Sequence, residues 1–137
     1  MKENLMLTEN DVIKFVSIYL KDNGYKIQQA LNTTEKGIDI IANHPEKGKC
    51  FVEAKGGTSS DKKSNRYGKP FNKSQRKDHI GVALLKTFQI KQENTNANVF
   101  IAVPEKNHRD IFETIENCLS KTEIKVLFVK NDGSIES

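Results

Sequence analysis

The chain has 137 residues, 36% of them apolar, with 22 lysines and arginines against 18 acids, a net charge of +4 and a mean hydropathy of −0.62. That size suits one domain over residues 1–137, and no apolar run approaches the roughly 18 residues of a membrane span. Residues 1–8 lack the apolar core and cleavage site of a secretory signal, so a cytoplasmic setting is expected, in which Cys50 and Cys118, without metal-type spacing, read as buried thiols.

Thr8 has the character of a helix N-cap, with Asp11 three residues on in place of the usual Glu or Gln of a capping box. Val12, Phe15, Val16, Tyr19 and Leu20 recur at helical spacing, and Gly24 is placed to end the helix in the left-handed conformation. Residues 25–31 alternate as a first strand. Residues 37–42 and 50–56 follow as two arms of a hairpin with the loop 43–49 between them. Residues 57–74 show no apolar periodicity and form a long loop, the kind that tends to carry function or be disordered. Ser74 is the expected cap of a second helix bearing Ile80, Ala83, Leu84, Leu85 and Phe88, ending before the polar stretch 91–98. A strand over 99–103 closed by Pro104, a helix over 107–120 with Ile111, Phe112, Ile115 and Leu119 as its stripe, and a strand over 124–129 complete the fold, with a polar tail from Asn131-Asp132-Gly133. The expected class is α/β: an antiparallel three-strand meander, then strands alternating with helices, giving a mixed central sheet with flanking helices.

Asp39, and fourteen residues later Glu53-Ala54-Lys55, place charges inside segments that otherwise read as core. A hairpin symmetric about Glu46 sets Ile41 opposite Phe51 and Asp39 opposite Glu53, and strand alternation puts Lys55 on the same side as Glu53. Opposed like charges lie only about 4.5 to 5.5 Å apart at their β-carbons and destabilise a sheet. Something positive is required between them, and a divalent cation with oxygen ligands meets the requirement. Between residues 62 and 77 stand Lys62, Lys63, Arg66, Lys69, Lys73, Arg76 and Lys77 with no acid after Asp61 and before Asp78, a patch that attracts polyanions. The blander readings are a polar strand face for Glu-x-Lys and a solvated loop for the basic run. Context favours chemistry, because apolar neighbours, the facing Asp39, Gly56-Gly57 and the basic loop occur together. Gly56-Gly57 lacks the spacing of a phosphate-binding Walker loop and is expected to let the backbone turn away beside a phosphate or the loop open and close. His44 and His108 have no ligand-like partners in sequence, and no metal site is read into them.

Gly37-Ile38-Asp39-Ile40 followed by Val52-Glu53-Ala54-Lys55 resembles the PD-(D/E)xK nuclease superfamily, which includes restriction endonucleases and Holliday-junction resolvases. The resemblance covers roughly residues 8–88 in element order, with Ile38 where the family name has proline. It implies a restriction endonuclease-like αβββαβ core and a metal-dependent endodeoxyribonuclease. Asp39, Glu53 and the carbonyl of Ala54 would hold Mg²⁺, for which Mn²⁺ would substitute, and Lys55 would orient the water or stabilise the transition state. Glu9, on the same stripe as Val12 and Val16, is the first-helix acid that the resemblance implies in the site, with Asp11 behind it; the helix dipole alone also favours acids there. Gln75, one turn before His79, resembles a glutamine found in some branches. DNA is the expected partner, gripped by the basic run, and a homodimer is expected because a domain this small has no separate specificity unit. The alternatives are a binding module that keeps the fold without cutting, and a nuclease acting on RNA.

Overall fold

The computed structural model describes residues 6–32, 34–65 and 67–137. Thr8 begins helix α1 (Glu9–Asp22) with the expected capping box: its Oγ1 accepts from the Asp11 N–H at 3.1 Å, and Asp11 Oδ2 accepts from the Thr8 N–H at 2.9 Å. Gly24, at φ +90°, ends the helix in the left-handed region, and the Tyr25 N–H returns to the Leu20 carbonyl at 2.9 Å. Strand β1 (Lys26–Ala30) then pairs antiparallel with β2 (Ile40–His44), and β2 with β3 (Gly48–Ala54). Ile41 faces Phe51 and Ile40 faces Val52, the register centred on Glu46. The loop is shorter than the expected 43–49. His44 Nδ1 accepts from the N–H groups of Glu46 and Lys47, both at 3.0 Å, and so holds a tight turn.

Helix α2 (Lys73–Glu93) starts one residue before the expected cap and continues into the polar stretch 91–98. Asn72, not Ser74, is its N-cap, since Asn72 Oδ1 accepts from the Gln75 N–H at 2.8 Å. Its buried residues are Ile80, Ala83, Thr87 and Ile90. Leu85 and Phe88, expected on the core stripe, are 60% and 42% exposed, because they share the outward face with Val82. Strand β4 (Asn98–Pro104) lies parallel to β3 and to β5 (Ile124–Val129), as crossover connections require. The helix expected over 107–120 is instead two short pieces, α3 (Arg109–Glu113) and α4 (Glu116–Leu119). Asn107, at φ 66°, cannot begin a helix, and Ile115, at φ −124°, interrupts it. This break turns Leu119 inward and leaves Cys118 exposed, against the expectation of two buried thiols; Cys50 is buried, and desolvation pushes its thiol pKa up to about 12. The polar tail contains a short strand, β6 (Ile135–Glu136), paired antiparallel with β5.

The result is a six-stranded mixed sheet ordered β1-β2-β3-β4-β5-β6 with helices on both faces. On one face α1 packs Val12, Val16 and Leu20 against Ile40, Cys50, Val52, Ala54 and Leu127. On the other, Ile80, Ala83 and Ile90 of α2 and Ile111 and Phe112 of α3 cover Phe51, Val99, Ile101 and Val103. Alternation along β3 places Glu53 on the same side as Phe51, beneath α2. Among the described residues no helix is long and apolar enough to cross a membrane.

Candidate functional site

Asp39 sits one residue before β2, and the register carried on from Ile40–Val52 brings it opposite Glu53. Both acids are buried, at 7% and 3% exposure. Asp39 Oδ2 accepts the Ala54 N–H at 2.8 Å, a bond that fixes this carboxylate at the end of β3. Glu53 is the more perturbed acid. Burial, then the negative charge of Asp39, push its pKa up to about 7 against the pull of Lys86. The acids converge as expected at the carboxyl end of β3, the end of a parallel strand where α/β sheets place their ligands.

Positive charge comes from two lysines. Lys55 Nζ lies 3.9 Å from Glu53 Oε2, and Lys86 Nζ, from the middle of α2, lies 3.0 Å from Glu53 Oε1. Lys86 also donates to the Gly37 carbonyl at 2.9 Å. Its approach to Oε1 is close but poorly angled, so the contact is an ion pair more than a well-formed hydrogen bond. No sequence motif pointed to Lys86. The available signal was helical: Lys86 stands six residues after Ile80 and three after Ala83, on the border of the buried stripe that packs on Phe51.

Glu9 projects from the first turn of α1 into a cavity of about 250 Å³, shared with Lys55, Gly56, Thr58, Ser59, Ser60, Phe71 and His79. Burial first and Asp39 second raise its pKa, while Lys55 and Lys86 lower it, so Glu9 shares the field of the site. Asp11 does not line this cavity, and its carboxylate closes the capping box. We expect Glu9→Gln to weaken divalent-cation binding and leave the melting temperature within a degree or two. Asp11→Ala should cost about 1 kcal/mol of stability and leave cation binding unchanged, with calorimetry and thermal melts as the paired readouts.

Gly56 and Gly57 have a different use from the one expected. A Cβ at Gly56 would come 2.7 Å from the Thr8 carbonyl carbon, and one at Gly57 2.6 Å from Met6 Cε, so their bareness lets the start of α1 press against the end of β3. That packing carries Glu9 to the cavity. Gln75 is taken up in capping α2, its Oε1 accepting the Asn72 N–H at 2.9 Å. His79 does reach the cavity, edge-on to Phe71 with ring centroids 4.6 Å apart.

Of the basic run, Lys62, Lys63, Lys69, Lys73 and Lys77 are exposed, as a polyanion-binding surface needs. Arg76 turns back instead, donating to the Phe71 carbonyl at 2.6 Å with its Nε buried. Arg66 lies outside the described residues. His108 is fully buried, with Nδ1 3.0 Å from the Lys106 carbonyl, and takes no part in the site.

Among the described residues, no three His, Cys, Asp or Glu side chains are grouped to hold a metal ion. Side-chain ligation of a cation would therefore come down to the two facing carboxylates. Oxygen donors in that number suit Mg²⁺ or Mn²⁺, which keep several waters. The poorly satisfied Glu53 Oε1 and the proximity of the two acids, which Lys86 and Lys55 offset only in part, are what a cation would resolve.

No family model matches the sequence, and no curated protein matches it. Two solved structures share the fold: an XisH family protein from Nostoc punctiforme PCC 73102 and an fdxN element excision controlling factor protein from Anabaena variabilis. Each is 18% identical to this chain with a TM-score of 0.57, over 93% of this chain and 97% of the other. The chain is thus similar in architecture, across nearly its whole described length, to structures of the XisH and excision-controlling-factor kind.

Proposed function

We propose that this chain is a metal-dependent nuclease that hydrolyses DNA phosphodiester bonds on a restriction endonuclease-like core of the PD-(D/E)xK type. The observation that carries this reading is the pair of buried, facing carboxylates, Asp39 and Glu53, with the ammonium of Lys55 3.9 Å from the second. Asp39, Glu53 and the Ala54 carbonyl would hold Mg²⁺ or Mn²⁺. When bound, the cation supplies Lewis acidity to the scissile phosphate and acidity to the attacking water. Lys55 points its positive charge at the phosphoryl oxygens, where charge develops as water adds to phosphorus and the P–O bond to the leaving oxygen breaks. Glu9 borders the cavity in which that water is ordered. The exposed lysines of residues 62–77 bind the backbone through counterion release, which holds the substrate without reading its sequence. One structural neighbour is called an excision controlling factor, a description that agrees with work on DNA. A homodimer belongs to the same reading, with Val82, Leu85 and Phe88 supplying exposed apolar surface on α2.

The competing reading is a module on the same fold that binds without cutting, and the Lys86–Glu53 ion pair favours it, since that pair partly neutralises Glu53 without any cation. Incubation with single-stranded, duplex and branched DNA and with RNA, in Mg²⁺, in Mn²⁺ and in EDTA, separates the two. The nuclease reading expects cation-dependent cutting of DNA that EDTA stops. Retention of DNA with no cutting in any condition supports the binding module, and cutting confined to RNA reassigns the substrate.

A further inference from the structure

The Lys86 ammonium stands in a place that the rest of the site reserves for a cation. It bridges Glu53 Oε1, at 3.0 Å, and the carbonyl of Gly37, two residues before Asp39, at 2.9 Å. Its contact with Oε1 is close but poorly angled for a hydrogen bond, so the strongest form of that interaction is not made. The Lys86 side chain is 37% exposed whereas that of Glu53 is 4% exposed. The carboxylate is fixed and the ammonium, on its flexible four-carbon stem, has room to leave. Lys55 already supplies one positive charge on the other oxygen. A divalent ion added to the same carboxylate would stand within a few ångströms of both ammonium groups, and repulsion at that range is strong enough in a partly buried site to displace the more exposed of them, Lys86 at 37% against 22% for Lys55.

We propose that Lys86 is an exchangeable counter-ion, which neutralises Glu53 while the site lacks metal and withdraws when a divalent cation binds. This rests on the metal-dependent reading above and adds to it a positioning residue that couples α2 to the state of the site. The coupling has a direction: removal of Lys86 relieves competition, so metal binding tightens. A lysine that stayed in place would also weaken metal binding by its charge, so the readout specific to exchange is a metal-dependent change in the accessibility of Lys86 itself.

The test is calorimetric titration of Mn²⁺ into the wild-type protein, Lys86→Gln and Lys86→Arg, together with acetylation footprinting of wild-type lysines. Lys86→Gln should bind Mn²⁺ about tenfold more tightly, roughly 1.4 kcal/mol, and Lys86→Arg should stay near the wild-type value. In the wild type, acetylation of Lys86 should rise severalfold on adding Mn²⁺ while Lys62 and Lys63 hold constant, a readout that needs no variant to fold. Unchanged or weaker Mn²⁺ binding by Lys86→Gln, or acetylation of Lys86 indifferent to Mn²⁺, overturns the exchange. A wild type that binds no Mn²⁺ at all overturns the metal reading itself, so the two failures are distinct.

Discussion

Asp39→Asn should fold like the wild type and lose about three orders of magnitude of cation-dependent cleavage. The asparagine keeps an oxygen to accept the Ala54 N–H, which Asp39 Oδ2 now takes at 2.8 Å, so the anchor at the end of β3 survives. What disappears is one of two anionic ligands. If the cation contributes several kcal/mol to the transition state, losing its hold costs roughly 4 kcal/mol, or ~10³ in rate. Far-ultraviolet circular dichroism and a cleavage assay on the same preparation decide the matter. Cleavage within threefold of wild type would remove Asp39 from the chemistry.

Glu53→Gln should act in opposite directions on stability and activity. In the folded chain burial and Asp39 raise the Glu53 pKa from 4.5 to about 7. Between those values the folded state holds a proton that the unfolded state has released, so stability falls as pH rises from about 4.5 to about 7 and stays low above that range. Glutamine removes the ionisation, and its amide is able to donate toward Asp39 in place of the lost proton. In EDTA at pH 8 the variant should therefore melt about 3 to 6 °C higher than wild type, corresponding to roughly 1 to 2 kcal/mol. At pH 4.5, where wild-type Glu53 is protonated in the folded state, the gap should close. Added Mg²⁺ should raise the melting point of wild type and not of the variant, and the variant should not cut DNA. A variant that melts below wild type at both pH values would mean that the Lys86 and Lys55 ion pairs outweigh the burial of charge.

The hairpin was legible in the sequence because its arms are symmetric: one centre, Glu46, satisfies the apolar pairing of Ile41 with Phe51 and brings Asp39 to Glu53. Helix α1 was legible because local chemistry at Thr8, Asp11 and Gly24 specifies both of its ends. The limits of α2 were not, since Asn72 and Ser74 are both good caps and only the pairing of Asn72 with Gln75 distinguishes them. The same pairing accounts for Gln75, whose side chain is spent on the helix end. Leu85 and Phe88 misled for a related reason: apolar residues surround α2, and which stripe is buried depends on where the sheet lies. Lys86 was out of reach of any motif, because its role comes from the docking of α2 over β3, a contact between residues 33 positions apart in the chain. Arg76 shows the converse, a charge that counts toward a basic run in sequence and folds back onto the Phe71 carbonyl in space.

Anomalous diffraction from crystals soaked in Mn²⁺ addresses the two facing acids most directly. The account predicts one strong peak between the carboxylates of Asp39 and Glu53, with Lys86 Nζ moved out of reach of Oε1. Manganese bound only elsewhere, or Lys86 still seated on Glu53 with no peak beside it, would contradict it.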